Sequence, residues 1–140
     1  MKTVSKFNND DTDIFNHRQH HFTEDFCLRF CLARKFYMGQ FNNTIYEDVA
    51  FGPMNLGLGR DVVDERVRKA LERVGLDNLM FKAPHNLSYG QKKRAAFAAI
   101  MAMEPEILIL DEPTANLDSK QEEIFVQLLQ DFGGTLICIS

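Results

Sequence analysis

The stretch "LSYGQKKRAAFAAIMAMEPEILILDEPTANLD", Leu87 to Asp118, decides how this chain is read. Ser88 followed three residues later by Gln91 is a capping-box pattern, in which the serine hydroxyl takes a free backbone N–H and opens a helix. From Lys92 to Met103 the segment is charged at its start and then apolar almost all round, as buried helices are. Glu104-Pro105 ends it. "EILILD" (Glu106–Asp111) is a continuous apolar run of strand length, which predicts a parallel strand covered on both faces. Asp111 and Glu112 stand at its end, and "PTANLD" leads into another helix.

The text on either side fits the same alternation. "NTIYEDVAFGPMNLGLG" (Asn43–Gly59) predicts a short helical turn, broken at Gly52-Pro53 and followed by a glycine-containing loop. In "DVVDERVRKALERVG" (Asp61–Gly75), Val63, Val67, Ala70, Leu71 and Val74 fall at i, i+4, i+7, i+8 and i+11, one face of a helix. Asp64–Arg68 and Glu65–Lys69 are i,i+4 pairs with the acid first, and Gly75 supplies the stop. After Asp118, "SKQEEIFVQLLQDFGG" predicts a helix with Ile124, Phe125, Leu128 and Leu129 inward and Gly133-Gly134 as terminator. "TLICIS" predicts a further buried strand.

Met1 to about Phe41 is written differently, rich in Asn, Asp, His and Phe with weak periodicity. The expected division is an atypical segment over 1–42 and an α/β part over 43–140. The latter splits into a helical portion over about 43–90 and a strand-bearing portion over about 91–140. Two short parallel strands make a poor sheet alone, so the chain is expected to be a piece of a larger domain. His17, His20, His21, Cys27 and Cys31 have spacings that match no zinc site, and a solvated or partly helical segment is the simpler reading.

Bulk properties exclude several classes. With 45% hydrophobic residues the 140-residue chain can build a core. A formal net charge of −4 offers no basic footprint for nucleic acid. No apolar run approaches the roughly 18–20 residues of a membrane span. The N-terminus turns polar at once, without the apolar stretch of a secretory signal. Three cysteines, Cys27, Cys31 and Cys138, are an odd number without framework spacing and read as free thiols in a reducing cytoplasm.

Two features could do chemistry. A helix N-terminus carries unpaired N–H groups and about half a positive charge, so the turn Leu87–Gln91 suits a phosphate. Gly90 lets backbone approach closely, and Ser88 can donate its hydroxyl. Carboxylates at the mouth of a parallel sheet lie where ligands bind. Asp111 there can hold Mg²⁺ through water, and Glu112 can polarise a water for attack on phosphorus. Each has a plainer explanation, an ordinary capped helix and a solvated strand end. The "KKR" run, Lys92 to Arg94, reads as a solvated first turn.

Taken in order, "LSYGQ", one helix and "ILILDEPTANLD" resemble the C-terminal part of an ABC-type ATPase nucleotide-binding domain: signature turn, Walker B strand with its glutamate, and D-loop. "YEDVAFGP" and "LSYGQKKR" most resemble the ATPase subunits of energy-coupling-factor importers, which serve cobalt, nickel or vitamin uptake. The resemblance covers about residues 43–140. It implies a partial P-loop NTPase fold: helical subdomain, signature helix, Walker B strand and a following strand. It also implies ATP and Mg²⁺ as ligands, a head-to-tail dimer with a second ATPase subunit, and docking on an integral membrane subunit at the cytoplasmic face. Position by position, Ser88, Gly90 and Gln91 would face the γ-phosphate of an ATP held mainly by the opposite subunit. Asp111 would organise Mg²⁺, Glu112 would be the general base, and Asp118 would communicate across the dimer.

The sequence departs from that pattern in ways that shape the expectation. No G-x-x-x-x-G-K-[ST] occurs, Gln40 does not register with a Q-loop glutamine, and no switch histidine follows "TLICIS". The chain is therefore expected to be a truncated form that neither holds ATP tightly nor hydrolyses it alone. A different class stays open: a non-catalytic module that docks on a transporter or on a full-length ATPase. A DNA-repair or chromosome-associated ATPase shares the signature turn and strand, but "YEDVAFGP" and the acidic charge favour transport.

Overall fold

A computed structural model describes residues 30–33 and 42–139. His17, His20, His21 and Cys27 lie outside the described residues. The elements follow as strand β1 (Phe30–Ala33), helices α1 (Ile45–Asn55), α2 (Arg60–Arg73) and α3 (Tyr89–Met101), strand β2 (Ile107–Asp111), helix α4 (Ser119–Gln130) and strand β3 (Thr135–Ile139). Two single 3₁₀ turns, Asp77–Leu79 and Pro84–Asn86, join α2 to α3.

The sheet is parallel in the order β1-β2-β3. Phe30 pairs with Ile107 and Ala33 with Leu110 on one side of β2, while Ile107 pairs with Thr135 and Asp111 with Ile139 on the other. The strand that carries the acids is thus central. β1 falls inside the segment that sequence pattern sets apart as atypical.

α1 begins with a second capping box, absent from the sequence reading. Thr44 Oγ1 accepts from the Glu47 N–H at 3.2 Å, and Glu47 Oε2 accepts from the Thr44 N–H at 3.3 Å. Gly52-Pro53 does not break this helix, contrary to expectation; it runs to Asn55 with Pro53 inside and buried. Pro53 sits in the last turn, where one missing N–H costs a single rung and the buried ring contributes to the core. α2 matches its expected face, with Val63, Val67, Ala70, Leu71 and Val74 all buried. Gly75, at φ +65°, takes the left-handed conformation that ends it.

α1, α2 and α3 pack pairwise into a helical layer. Phe97 of α3 meets Phe125 of α4 edge to face, ring centres 5.5 Å apart, so α3 belongs to that layer and to the strand-bearing part alike. Leu108 and Leu110 of β2 are fully buried in the same core. Two strand expectations need correction. β2 alternates, with Ile107 and Ile109 only half-buried, so among the described residues one face is covered rather than two. β3 is not buried: Thr135, Cys138 and Ile139 are exposed. Continuous apolar text gives the nature of a strand but not how many layers lie against it.

Candidate functional site

The first part of the site is the start of α3. Ser88 has extended backbone, its Oγ accepts from the Gln91 N–H at 3.3 Å, and its own N–H donates to Gln91 Oε1 at 2.9 Å. The capping box read from sequence is therefore formed. Capping uses one lone pair of the Ser88 hydroxyl and leaves its O–H free to donate. Ser88 and Tyr89 are exposed, Gln91 is half-buried, and Gly90 is buried. A Cβ at Gly90 would lie 2.8 Å from Cγ and Cδ of Gln121, a residue in the first turn of α4. Gly90 thus permits a close approach between α3 and α4.

The second part is the end of β2. Asp111 is half-buried and Glu112 is exposed. The Glu112 N–H donates to Ile139 O at 2.9 Å, extending the pairing with β3 by one bond. Glu112 then turns the chain at φ +44°, and Asn116 does so at φ +62°. Left-handed backbone costs a residue such as glutamate roughly 1–2 kcal/mol, whereas asparagine visits it routinely, so it is the Glu112 end of the turn that is held by its surroundings. Inside it, the Ala115 N–H reaches Glu112 O at 3.1 Å and the Leu117 N–H reaches Thr114 O at 3.2 Å. Asp118 closes the turn as the N-cap of α4, its Oδ1 accepting from the Gln121 N–H at 2.9 Å.

Lys93 joins the two parts, and the sequence reading missed it. Its side chain is 6% exposed, against the expectation of a solvated basic turn. The ammonium donates to Pro113 O at 2.9 Å and to Ala115 O at 2.6 Å, both in the turn after Glu112. It also lies 5.7 Å from the centre of the Tyr89 ring. Burial pushes its pKa below that of an ordinary lysine. Arg94 is likewise structural, donating to Val74 O at 2.9 Å while burial lowers its pKa. A usable signal existed: Lys93 lies at helical spacing with the buried Phe97 and Ile100, so the apolar stripe runs through it.

The structure therefore brings Ser88, Gly90 and Gln91 to one helix start and Asp111, Glu112 and Asp118 to one turn, with Lys93 and Gln121 between them. The donor set suits a magnesium nucleotide: hard carboxylate oxygens at a strand end for the metal, and a helix N-terminus with a free hydroxyl donor for phosphate.

This parallel sheet, with a capped helix leading into an acid-tipped central strand, is the ABC ATPase cassette, seen here in part. A sequence profile for the family described as ABC transporter matches residues 5–115, and the chain belongs to that family. The match begins ahead of residue 43, so the likeness reaches into the segment for which the sequence reading claimed none. Over 102 residues the chain is 50% identical to the energy-coupling factor transporter ATP-binding protein EcfA of Methanothermobacter thermautotrophicus, covering 71% of this chain and 33% of that protein. Its structure is similar to cbiO1 from Clostridium perfringens, described as part of the ABC transporter complex cbiONQ. The TM-score is 0.72 at 38% identity, over 81% of this chain and 47% of that one. A dimeric bacterial ABC transporter cassette gives a TM-score of 0.69 at 25% identity, over 84% of this chain and 54% of that one. The chain spans about a third of the length of the curated relatives it matches.

Proposed function

We propose that this chain provides one face of an ATP site in an importer of the energy-coupling-factor class, acting in a head-to-tail pair of ATPase subunits. The cargo proposed is cobalt, nickel or a vitamin. The observation that carries the reading is the placement of Asp111-Glu112 at the end of the central strand, tied to a capped glycine-bearing helix start. Such a pair of faces meets phosphoryl charge from two sides, which is the main means of catalysing phosphoryl transfer.

In this reading Ser88, Gly90 and Gln91 present donors to the γ-phosphate of a nucleotide held by the opposite subunit. Asp111 holds Mg²⁺ through water, and Mg²⁺, when bound, neutralises charge on the phosphate oxygens. Glu112 accepts the proton of the attacking water. Its exposure suits that role, since a general base must reach its proton within hydrogen-bond distance. Asp118, at the start of α4, faces the partner subunit. The phosphate-loop lysine comes from outside the motifs present here, so the 140 residues alone bind ATP weakly and do not turn it over. No helix among the described residues is long and apolar enough to cross a membrane; a peripheral place on the cytoplasmic face, beneath an integral membrane subunit, goes with this reading.

The test is ATP turnover by the chain alone and mixed with the Methanothermobacter relative. The expected result is no turnover alone and an increment over the relative by itself in the mixture. Glu112→Gln should remove about 100-fold or more of that increment while leaving association intact. Saturable turnover by the lone chain would refute the one-face reading. Association with the relative that brings no increment would favour a docking module without catalysis.

A further inference from the structure

Lys93 is the buried charged residue among the described residues, and burying an ammonium is costly unless its protons find partners. Both carbonyls it finds, Pro113 O and Ala115 O, belong to the single turn that follows Glu112. Its stem starts within two turns of the Ser88 N-cap, on the face of α3 that also carries Phe97. A methionine would fill the same volume without any charge to desolvate, so packing alone does not explain a lysine here. The turn it grips contains Glu112 in the left-handed region, where a glutamate is rarely found. Such backbone persists only where neighbours over-determine it. The internal bonds of the turn, from Ala115 to Glu112 and from Leu117 to Thr114, close it locally but do not fix it to α3.

We propose that Lys93 is a positioning residue that locks the acid-bearing turn 112–118 to α3 through the carbonyls of Pro113 and Ala115, and so fixes where Glu112 stands. Its importance for turnover rests on the reading of Glu112 as the base. A general base displaced by about 1 Å loses about 100-fold in rate, and the charge-assisted bonds of Lys93 are strong enough to prevent that displacement.

Amide hydrogen exchange on the full chain tests the lock without nucleotide. In Lys93→Met the amides of Ala115 and Leu117 should exchange about tenfold or more faster, because charge-assisted bonds are lost. The amides of Val49 and Val67 in the helical layer should keep their rates. Lys93→Arg, which retains a cationic donor, should recover part of the protection. Unchanged exchange at Ala115 and Leu117 in a folded Lys93→Met protein would overturn the proposal. In case that variant does not fold, the wild-type chain offers a second readout. The ¹⁵N-labelled Lys93 ammonium should show protons shielded from water exchange near neutral pH, and an ammonium exchanging as fast as exposed Lys120 would overturn it equally. With the Methanothermobacter relative added, Lys93→Met should lower kcat of the increment about tenfold or more while KM for MgATP stays within about threefold. A change in KM with kcat intact would contradict positioning. If the wild-type mixture gives no increment, it is the ATP reading that fails, and the exchange measurements still decide the role of Lys93.

Discussion

Asp48 shows how one residue can set a pH dependence. It stands in the first turn of α1, half-buried, with Oδ1 accepting from Asn42 Nδ2 at 2.8 Å and Oδ2 buried without a partner. Burial raises its pKa above the usual carboxylate value, and the Asn42 bonds only partly oppose this. A folded pKa above the unfolded one means the unfolded chain releases the proton first. The stabilising contribution is therefore complete below the unfolded pKa and is lost as pH rises through the folded one. Asp48→Asn keeps an acceptor for Asn42 and has no charge to desolvate. Urea unfolding from about pH 3.5 to about pH 7 should show the variant gaining on the wild type as pH rises. A stability difference flat across that window would refute the assignment. Lys93 makes a related point about legibility. Three basic residues in a row look solvated, yet the 3.6-residue period puts Lys93 under the core, because periodicity and not local charge decides which side of a helix faces inward.

At the scale of elements, helix starts are written plainly. The Ser88–Gln91 box was readable and is formed; the Thr44–Glu47 box carries the same three-residue spacing and was there to be read. Ser88→Ala should cost about 1 kcal/mol of stability, measured as a lower urea midpoint at unchanged slope. A variant equal to wild type would mean that Gln91 or water satisfies the helix start unaided. Helix ends and strand coverage were less legible. Pro53 ends a helix only if interior rungs are lost, and two residues before the terminus few rungs remain. "ILILD" and "TLICI" look equally buried, but coverage depends on distant parts of the fold. Leu108 and Leu110 are covered, whereas Ile139 at the far end of the neighbouring strand is 48% exposed. The acids were placed correctly at a strand mouth because strand polarity follows chain order. The left-handed backbone at Glu112 is not legible, since glutamate does not announce a positive φ as glycine would, whereas Asn116 is of a type that adopts one readily.

At the scale of the whole molecule, the described residues form two packed regions that share α3 and are stitched by side chains reaching across. Arg73 donates to Asp131 O at 2.7 Å, and Arg66 pairs with Glu104 at 2.9 Å. These stitches bring the middle and the end of α2 against the segments that precede β2 and β3. Both are partly solvated and worth little each, so the shared core around Phe97, Phe125, Leu108 and Leu110 fixes the arrangement. The order β1-β2-β3 also determines how this chain must find its fold in time. Thr135 reaches Ile107 by closing a short loop around α4, while Phe30 reaches the same residue only after the whole helical layer has been spanned. Loop-closure entropy and contact order make the second pairing the late one. Pulsed hydrogen labelling during refolding should therefore protect the amides between β2 and β3 before those between β1 and β2, and simultaneous protection would contradict this order. A nascent chain would hold its acid-tipped strand paired on one flank alone, and the closing act of folding would be the capture of residues made long before.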